Sequence, residues 1–306
     1  MYKVAVLLAV SNGIPWLKYQ LDSLVNQHNV DIDIFVSLDN SIDDSNKLII
    51  NYSKNYENIF IINENINFKS ASKNFIYLIS QLNINNYNFV ALSDQDDIWN
   101  LNRLNIGCNQ LINKDVDGYS TDVNAFWTYR NIYVKKSYEQ TKYDYLFESP
   151  GPGCTFILTS KLFTHLQDFI NDNYSKINLL GDGQHDLFIY AFARSNNYKW
   201  YIDNIASIDY RQHSNNYLGV NYGFKAYFLR FKLVINGWAF NQSKFIAKLL
   251  YKDDQKIKDN SNIVRALTEK NKINYILLAI NYRYCRRRNR DKIIFLLLCI
   301  LMSIIN

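Results

Sequence analysis

Three prolines and ten glycines among 306 residues leave no stretch that a Pro/Gly-rich linker could occupy. The four cysteines, Cys108, Cys154, Cys285 and Cys299, form neither a CxxC pair nor a zinc-ligand spacing. A chain of this length builds a core without staples, so they are read as reduced thiols in a reducing compartment. Long apolar runs are missing too. Near the start, Val4–Val10 is only seven residues long and no small-residue cleavage site follows it, which speaks against a secretory signal. No internal repeat of solenoid period is found. With 48% apolar and 20% charged residues the composition is that of a globular chain and excludes a disordered one.

What is present is unevenly placed. The length exceeds one ordinary domain of about 100–200 residues and predicts a large α/β domain with a smaller appendage. Residues 1–224 hold 17 Lys/Arg against 23 Asp/Glu, a balance of −6, whereas residues 225–306 hold 17 against 5, a balance of +12. A basic tail on an acidic body predicts contact with a polyanion, either anionic lipid or nucleic acid. The end of the chain separates these. A basic cluster, Arg283 to Lys292, precedes the apolar run Ile293–Ile305, which has 13 residues where a spanning helix needs about 20. That order fits a segment lying in the interface of an anionic leaflet. Nucleic-acid binding accounts for the charge and not for the apolar run, so no nucleic-acid partner is expected. The competing reading of so short a run is a buried C-terminal helix.

Along the first 100 residues strand and helix patterns alternate. Val4–Val10, Ile32–Leu38, Ile59–Ile62 and Asn88–Leu92 read as strands, the first as one buried on both faces. A helix opens at Pro15 and carries Trp16, Leu17, Leu21, Leu24 and Val25 at helical spacing, so that it covers the sheet, and Ala71–Leu82 reads as a second. This rhythm predicts βαβ units and a parallel sheet, whose ligands bind beyond the carboxyl ends of the strands. Further on, Phe126–Val134 reads as an antiparallel strand, a helix is expected near Ser160–Asn171, and "GDGQHD" leads into another. Short strands are expected around Trp200 and Ser207. From Phe224 the pattern turns helical, aromatic and basic.

Four groups of residues carry chemistry. In "FVALSDQDDIW", Asp94, Asp96 and Asp97 follow a buried strand with nothing cationic beside them in sequence. Crowded like charges are costly unless a cation neutralises them, and a hard divalent ion held with substrate phosphates is a common solution. A solvated acidic turn capping a helix at Leu101 is the alternative. Asp39, with Asp43 and Asp44, ends the second strand, where a carboxylate either caps a helix or bonds a ribose hydroxyl or base edge. Asp186 opens a helix and is either a cap stabilised by the helix dipole or a general base held at a cleft. The glycines flanking Asp182 would let backbone approach a ligand. Last, "YRQHSNNYLG" offers Arg211 for diphosphate oxygens and His213 as a metal ligand.

The ordered set "LLAVSNGIPWLKYQLDSLVNQ", "VSLDNSIDDS", "SKNF", "LSDQDDIW", "GQHD" and "YRQHSNN" resembles the family 2 inverting glycosyltransferases, and among them the bacterial rhamnosyltransferases of cell-surface polysaccharide assembly. The resemblance covers roughly residues 1–220. It implies a GT-A fold, a Rossmann-like, mostly parallel sheet flanked by helices, over residues 1–222. Residues 223–306 are then a helical, basic, membrane-associating region. It implies a nucleoside diphosphate sugar donor, dTDP-rhamnose above others, with Mg2+ or Mn2+, and a saccharide or lipid-linked acceptor at the cytoplasmic face of the membrane. Asp39 matches the nucleoside-contacting acid of the family, Asp94 and Asp96 the metal-binding carboxylates, with Asp94 and Arg211 toward the donor. Asp186 matches the catalytic base and His213 a metal or phosphate ligand.

The sequence departs from the family pattern in three places. Asp39-Asn40-Ser41 stands where Asp-Asp-Gly-Ser is usual, Asn67 where a left-handed glycine is expected, and Leu187-Phe188 where an aromatic pair is common. None removes a carboxylate the chemistry needs. Two rivals remain. "SDQDD" and the later Gly181-Asp182…Asp186 imitate the acidic motifs of haloacid-dehalogenase-like phosphohydrolases, although three strands precede the first here. A catalytically inactive, lipid-bound scaffold of the same fold is the other.

Overall fold

The computed structural model describes residues 1–181, 183–213, 236–251, 261–268 and 272–305. Asp182, the aromatic and basic stretch 224–235 and the boundary expected at 222–223 lie outside the described residues. By its internal contacts the chain divides into two units. Residues 1–137, 151–186 and 196–219 form one, and residues 138–150, 187–195 and 220–306 the other.

The first unit is α/β. It opens with β1 (Tyr2–Val10), α1 (Ile14–Val25), β2 (Val30–Asp39), α2 (Ser45–Asn55), β3 (Ile59–Ile66), α3 (Ala71–Gln81) and β4 (Phe89–Ser93). Then come β5 (Ile98–Trp99), α4 (Arg103–Asn113), β6 (Gly118–Thr121), β7 (Val123–Trp127) and β8 (Arg130–Val134). The series ends with β9 (Ile157–Thr159), α5 (Ser160–Asp172), α6 (Tyr174–Ile177), the first two residues of α7 (His185–Ser195), β10 (Trp200–Asp203) and β11 (Ile208–Arg211). Val4 through Leu8 are fully buried, as a central parallel strand covered on both faces must be. Pro15 sits in the first turn of α1, where its missing N–H costs nothing, and Leu17, Leu21 and Leu24 turn inward.

Seven strands form one sheet in the order β10-β6-β9-β4-β1-β2-β3. β1 pairs in parallel with β2 and β4, β2 with β3, and β6 with β10, while β9 runs antiparallel between β4 and β6. Leu8 lies opposite both Val36 and Ser93, so the carboxyl ends of β1, β2 and β4 share one edge, where open α/β sheets bind ligands. A smaller sheet runs β5-β11-β7-β8. The segment Phe126–Val134, expected as one strand, belongs instead to a hairpin that turns at Thr128-Tyr129. That turn lacks the Gly, Asn or Asp that normally marks a hairpin, so the strand pattern reads straight through it. The helix expected from Leu101 starts at Arg103, after a turn closed by the Arg103 N–H on the Asn100 carbonyl.

The second unit holds α8 (Trp238–Leu250), α9 (Ser261–Thr268), α10 (Lys272–Ile280), α11 (Tyr282–Cys285) and α12 (Asn289–Ile305), with Leu187–Ser195 of α7 and residues 138–150. Phe240, Ile246, Leu278, Phe295 and Cys299 are buried in it, and the Phe295 ring meets Phe147 edge-on at 4.9 Å. A charged knot is buried as well. Asp144, fully buried, accepts from the Tyr190 hydroxyl at 2.9 Å and faces Arg194 at 3.3 Å and Arg287 at 3.1 Å. Burial pushes the Asp144 carboxyl above its ordinary value, against the pull of both guanidinium groups. Removing one member of a buried pair strands the other charge, at a cost of about 3–5 kcal/mol. Asp144→Ala is expected to lose that much stability in chemical denaturation. A loss below about 1 kcal/mol, the scale of an exposed pair, would show that the knot contributes little. Among the described residues no helix is long and apolar enough to cross a membrane.

Candidate active site

The three carboxylates of "SDQDD" follow β4 and part company. Asp97 is fully buried, and its Oδ1 accepts the backbone N–H of Arg211 at 3.1 Å. Asp94, Asp97 and the Cys154 thiol have ligand atoms within 4.8 Å of one another. Burial pushes both the Asp97 carboxyl and the Cys154 thiol well above their ordinary values. Asp94 and Asp96 are only half-buried. Burial, then the charge of Asp96, then that of Asp186, push the Asp94 carboxyl up to about 7. Gln95, between them, ties the turn to the loop after β1: its side chain accepts from Ser11 N at 2.8 Å and donates to Ser11 O at 2.7 Å. A Cβ on Gly13 would lie 2.3 Å from Gln95 Oε1, so only glycine lets this clamp close.

The sequence shows no cation near these acids, but the fold supplies two. Arg211, at the end of β11, donates from Nε to the Asp96 carbonyl at 2.9 Å, and its guanidinium lies 4.6 Å from the Phe126 ring centre. Arg103, almost fully buried, donates to the Cys154 carbonyl at 2.7 Å and covers the Trp99 ring at 3.6 Å. Asp94 is still raised to about 7 with both present. The recess disfavours its own ionised carboxylates, and oxygen donors held this way fit a hard divalent ion. His213 Nε2 stands 2.7 Å from Asp96 Oδ2, and its ring stacks on Trp16 at 3.8 Å and 8°. Trp16 reads in the sequence only as a helix-packing residue.

Asp39 has a local task. Its Oδ1 accepts from Asn40 N and Phe68 N at 2.8 and 2.9 Å, and Oδ2 accepts from Lys69 N at 3.1 Å. It thereby fastens the end of β2 to the loop before α3. The left-handed residue of that loop is Lys69, at φ 55°, rather than Asn67. Asp43 accepts from Ile14 N and Ser45 N, both at 3.0 Å, and Asp44 pairs with Lys47 at 2.7 Å. These two acids serve the starts of α1 and α2.

Asp186 lies in the first turn of α7. Ser72 of α3 holds that turn, its Oγ accepting from Gln184 N at 3.0 Å and His185 N at 3.4 Å. The His185 ring stacks on Phe75 at 4.5 Å, and burial pushes its pKa down to about 4, so it is neutral. Asn74 donates to the Ser37 carbonyl of β2 at 3.3 Å. The motif "SKNF" thus positions the start of α7, a role its residue types do not announce. Gly153 makes room beside it, since a Cβ there would stand 2.7 Å from His185 Nε2 and 3.5 Å from Asp186 Cβ. The fold gathers Asp94, Asp96, Asp186, Arg211 and His213 in the first unit, and Asp39 ends a neighbouring strand of the same sheet.

Solved structures share this architecture. S. aureus TarS 1–349 in complex with UDP superposes with a TM-score of 0.53 at 14% identity, over 99% of this chain and 88% of that one. The mannosyltransferase PcManGT from Pyrobaculum calidifontis, in complex with GDP-Man and Mn2+, gives 0.52 at 12% identity, over 99% and 87%. The fold is that of the GT-A glycosyltransferases. Residues 5–162 match the model of Glycosyl transferase family 2, and the chain belongs to that family. The dTDP-rhamnosyl transferase RfbG of Shigella flexneri is 36% identical over 296 residues, 96% of this chain and 99% of that protein. Family membership removes the phosphohydrolase reading of "SDQDD".

Proposed function

We propose that the chain transfers L-rhamnose from dTDP-rhamnose, with inversion, onto a saccharide or lipid-linked saccharide in synthesis of an O-antigen or capsule type polysaccharide. The observation that carries this reading is identity of 36% to a dTDP-rhamnosyl transferase along nearly the whole of both chains. The site supports the chemistry. Asp186, on a helix start held by Ser72, takes the proton of the acceptor hydroxyl as that oxygen attacks the anomeric carbon. The new bond forms opposite the departing diphosphate, so a single displacement inverts the centre. Asp94 and Asp96, with His213 beside them, would hold Mg2+ or Mn2+, which when bound supplies positive charge to the leaving group. Arg211 adds a guanidinium for diphosphate oxygens, and Asp39 lies at the nucleoside end. Held donor and acceptor react in line, which removes much of the entropic barrier.

Residues 1–222 are proposed as the catalytic domain. Residues 223–306 are proposed to hold it peripherally at the cytoplasmic face of the inner or plasma membrane, by their balance of +12 and the terminal apolar run. Purified protein incubated with a panel of donors is expected to release dTDP from dTDP-rhamnose in preference to UDP from UDP-hexoses or GDP from GDP-sugars. A clear preference for UDP-glucose, UDP-galactose or a GDP-sugar would remove rhamnose and leave the family standing.

A further inference from the structure

We propose that the second unit carries a binding groove for the headgroup phosphate of an anionic membrane lipid. This rests on the membrane-surface reading above and goes beyond it, because it places recognition in a shaped groove rather than in diffuse charge. The groove, of about 780 Å3, runs between residues 138–142 and 283–292. Lys142, Arg283, Arg287, Arg288, Arg290 and Lys292 line it against a single carboxylate, Glu139. Arg287 is engaged by Asp144 and Glu148, and Arg290 by Asp291. Lys142, Arg283, Arg288 and Lys292 form no ion pair among the described residues. Three of them lie against rings, Lys142 on Tyr143, Arg283 on Tyr282 and Arg288 on Tyr138, contacts that steady a cation without cancelling its charge. Four such charges around one open space repel one another until an anion enters, and Arg forks match phosphate oxygens.

The walls are fixed before any ligand arrives. Tyr143 N and Thr141 Oγ1 both donate to the Tyr284 carbonyl, at 2.9 and 2.7 Å. Arg287, 6% exposed, is anchored on the buried Asp144. Asn289 and Arg290 open α12 within the groove, which adds the positive end of a helix dipole.

The next turns of α12 separate a lipid from a free phosphate. Ile293, Leu297, Ile300 and Ile304 recur on one helix face and are 57%, 60%, 46% and 73% exposed. Phe295, Cys299 and Met302 are buried on another. α10 adds Ile276 and Ile280, also exposed. A bilayer occupies both features together, phosphate in the groove and hydrocarbon along the stripe. A soluble phosphate accounts for the groove and leaves the stripe in water.

The test uses the full-length protein with vesicles of phosphatidylcholine alone or mixed with phosphatidylglycerol. Wild type is expected to bind the mixed vesicles, and Arg288→Glu with Lys292→Glu to weaken binding at least about tenfold, given the attraction each basic residue provides. Lys142→Glu, on the opposite wall, is expected to weaken it too. Lys54→Glu with Lys176→Glu changes net charge equally on exposed lysines of the first unit and is expected to have little effect. Inorganic phosphate is expected not to displace the protein from mixed vesicles. Equal losses in the groove and control pairs would overturn the groove while leaving membrane binding intact. Displacement by inorganic phosphate would replace the lipid with a free anion. No binding of wild type to mixed vesicles would sink both this proposal and the membrane reading it rests on.

Discussion

Asp186→Asn is expected to bind donor as wild type does and to transfer sugar roughly 10²–10⁴-fold more slowly, the usual scale for losing a general base. The substitution keeps the shape of the side chain and removes its ability to accept a proton. The backbone just before it is held by Ser72, which bonds the N–H groups of Gln184 and His185, and by the stacking of His185 on Phe75. The donor side is expected to stay intact for a second reason. Asp186 is one of the charges that raise Asp94, so neutralising it relieves the recess. Calorimetry for donor affinity, set beside the transfer rate, separates the two effects. An inactive scaffold has no turnover to lose, and near wild-type transfer by Asp186→Asn would remove Asp186 from the mechanism whatever base replaces it.

The features legible in the sequence are local ones. Val4–Val10 shows its burial because both faces are apolar, and the alternation through Leu92 predicts the parallel sheet and the edge where Asp39 and Asp94 stand. The acidic body and basic tail are visible by counting. What escapes the string is contact between distant residues. Ser72 meets His185 across 113 positions and His213 meets Asp96 across 117, and neither pairing leaves a periodic trace. Trp16 is on the same helix as Leu17 and Leu21, yet it stacks on His213. Periodicity assigns it to the helix and says nothing of its partner.

The three neighbouring aspartates make the limit sharper. In the sequence Asp94, Asp96 and Asp97 are interchangeable members of one acidic turn. In the fold Asp97 points into the core and takes the Arg211 N–H, whereas Asp94 and Asp96 stay partly open. The difference comes from strand register, because β11 arrives beside β5 and carries Arg211 with it. Arg103 lies six residues beyond Asp97, but its guanidinium reaches the Cys154 carbonyl from beneath. The absence of a nearby cation in the string does not carry over to the fold, where Arg211 reaches the Asp96 carbonyl and Arg103 the Cys154 carbonyl.

Asp96→Ala is expected to abolish turnover and to weaken donor diphosphate binding, and added Mg2+ or Mn2+ is not expected to restore it. In wild type, chelation by EDTA is expected to stop transfer, and either ion to recover it. The motive is electrostatic. Asp94 is held up to about 7 by burial and by Asp96 and Asp186, so the carboxylates crowd a recess that a divalent cation relieves. Asp96 Oδ2 lies 2.7 Å from His213 Nε2, and removing Asp96 takes away both the oxygen donor and the partner that orients His213. Asp97→Asn is the contrasting variant. Asp97 is buried on Arg211, so its replacement is expected to lower stability while the purified, folded fraction still responds to metal. The pair of variants therefore separates a ligand from a structural acid of the same turn. Full activity in excess EDTA, or unchanged donor affinity in Asp96→Ala, would show that this turn holds no catalytic metal. The raised Asp94 would then reflect only the cost of folding the carboxylates together.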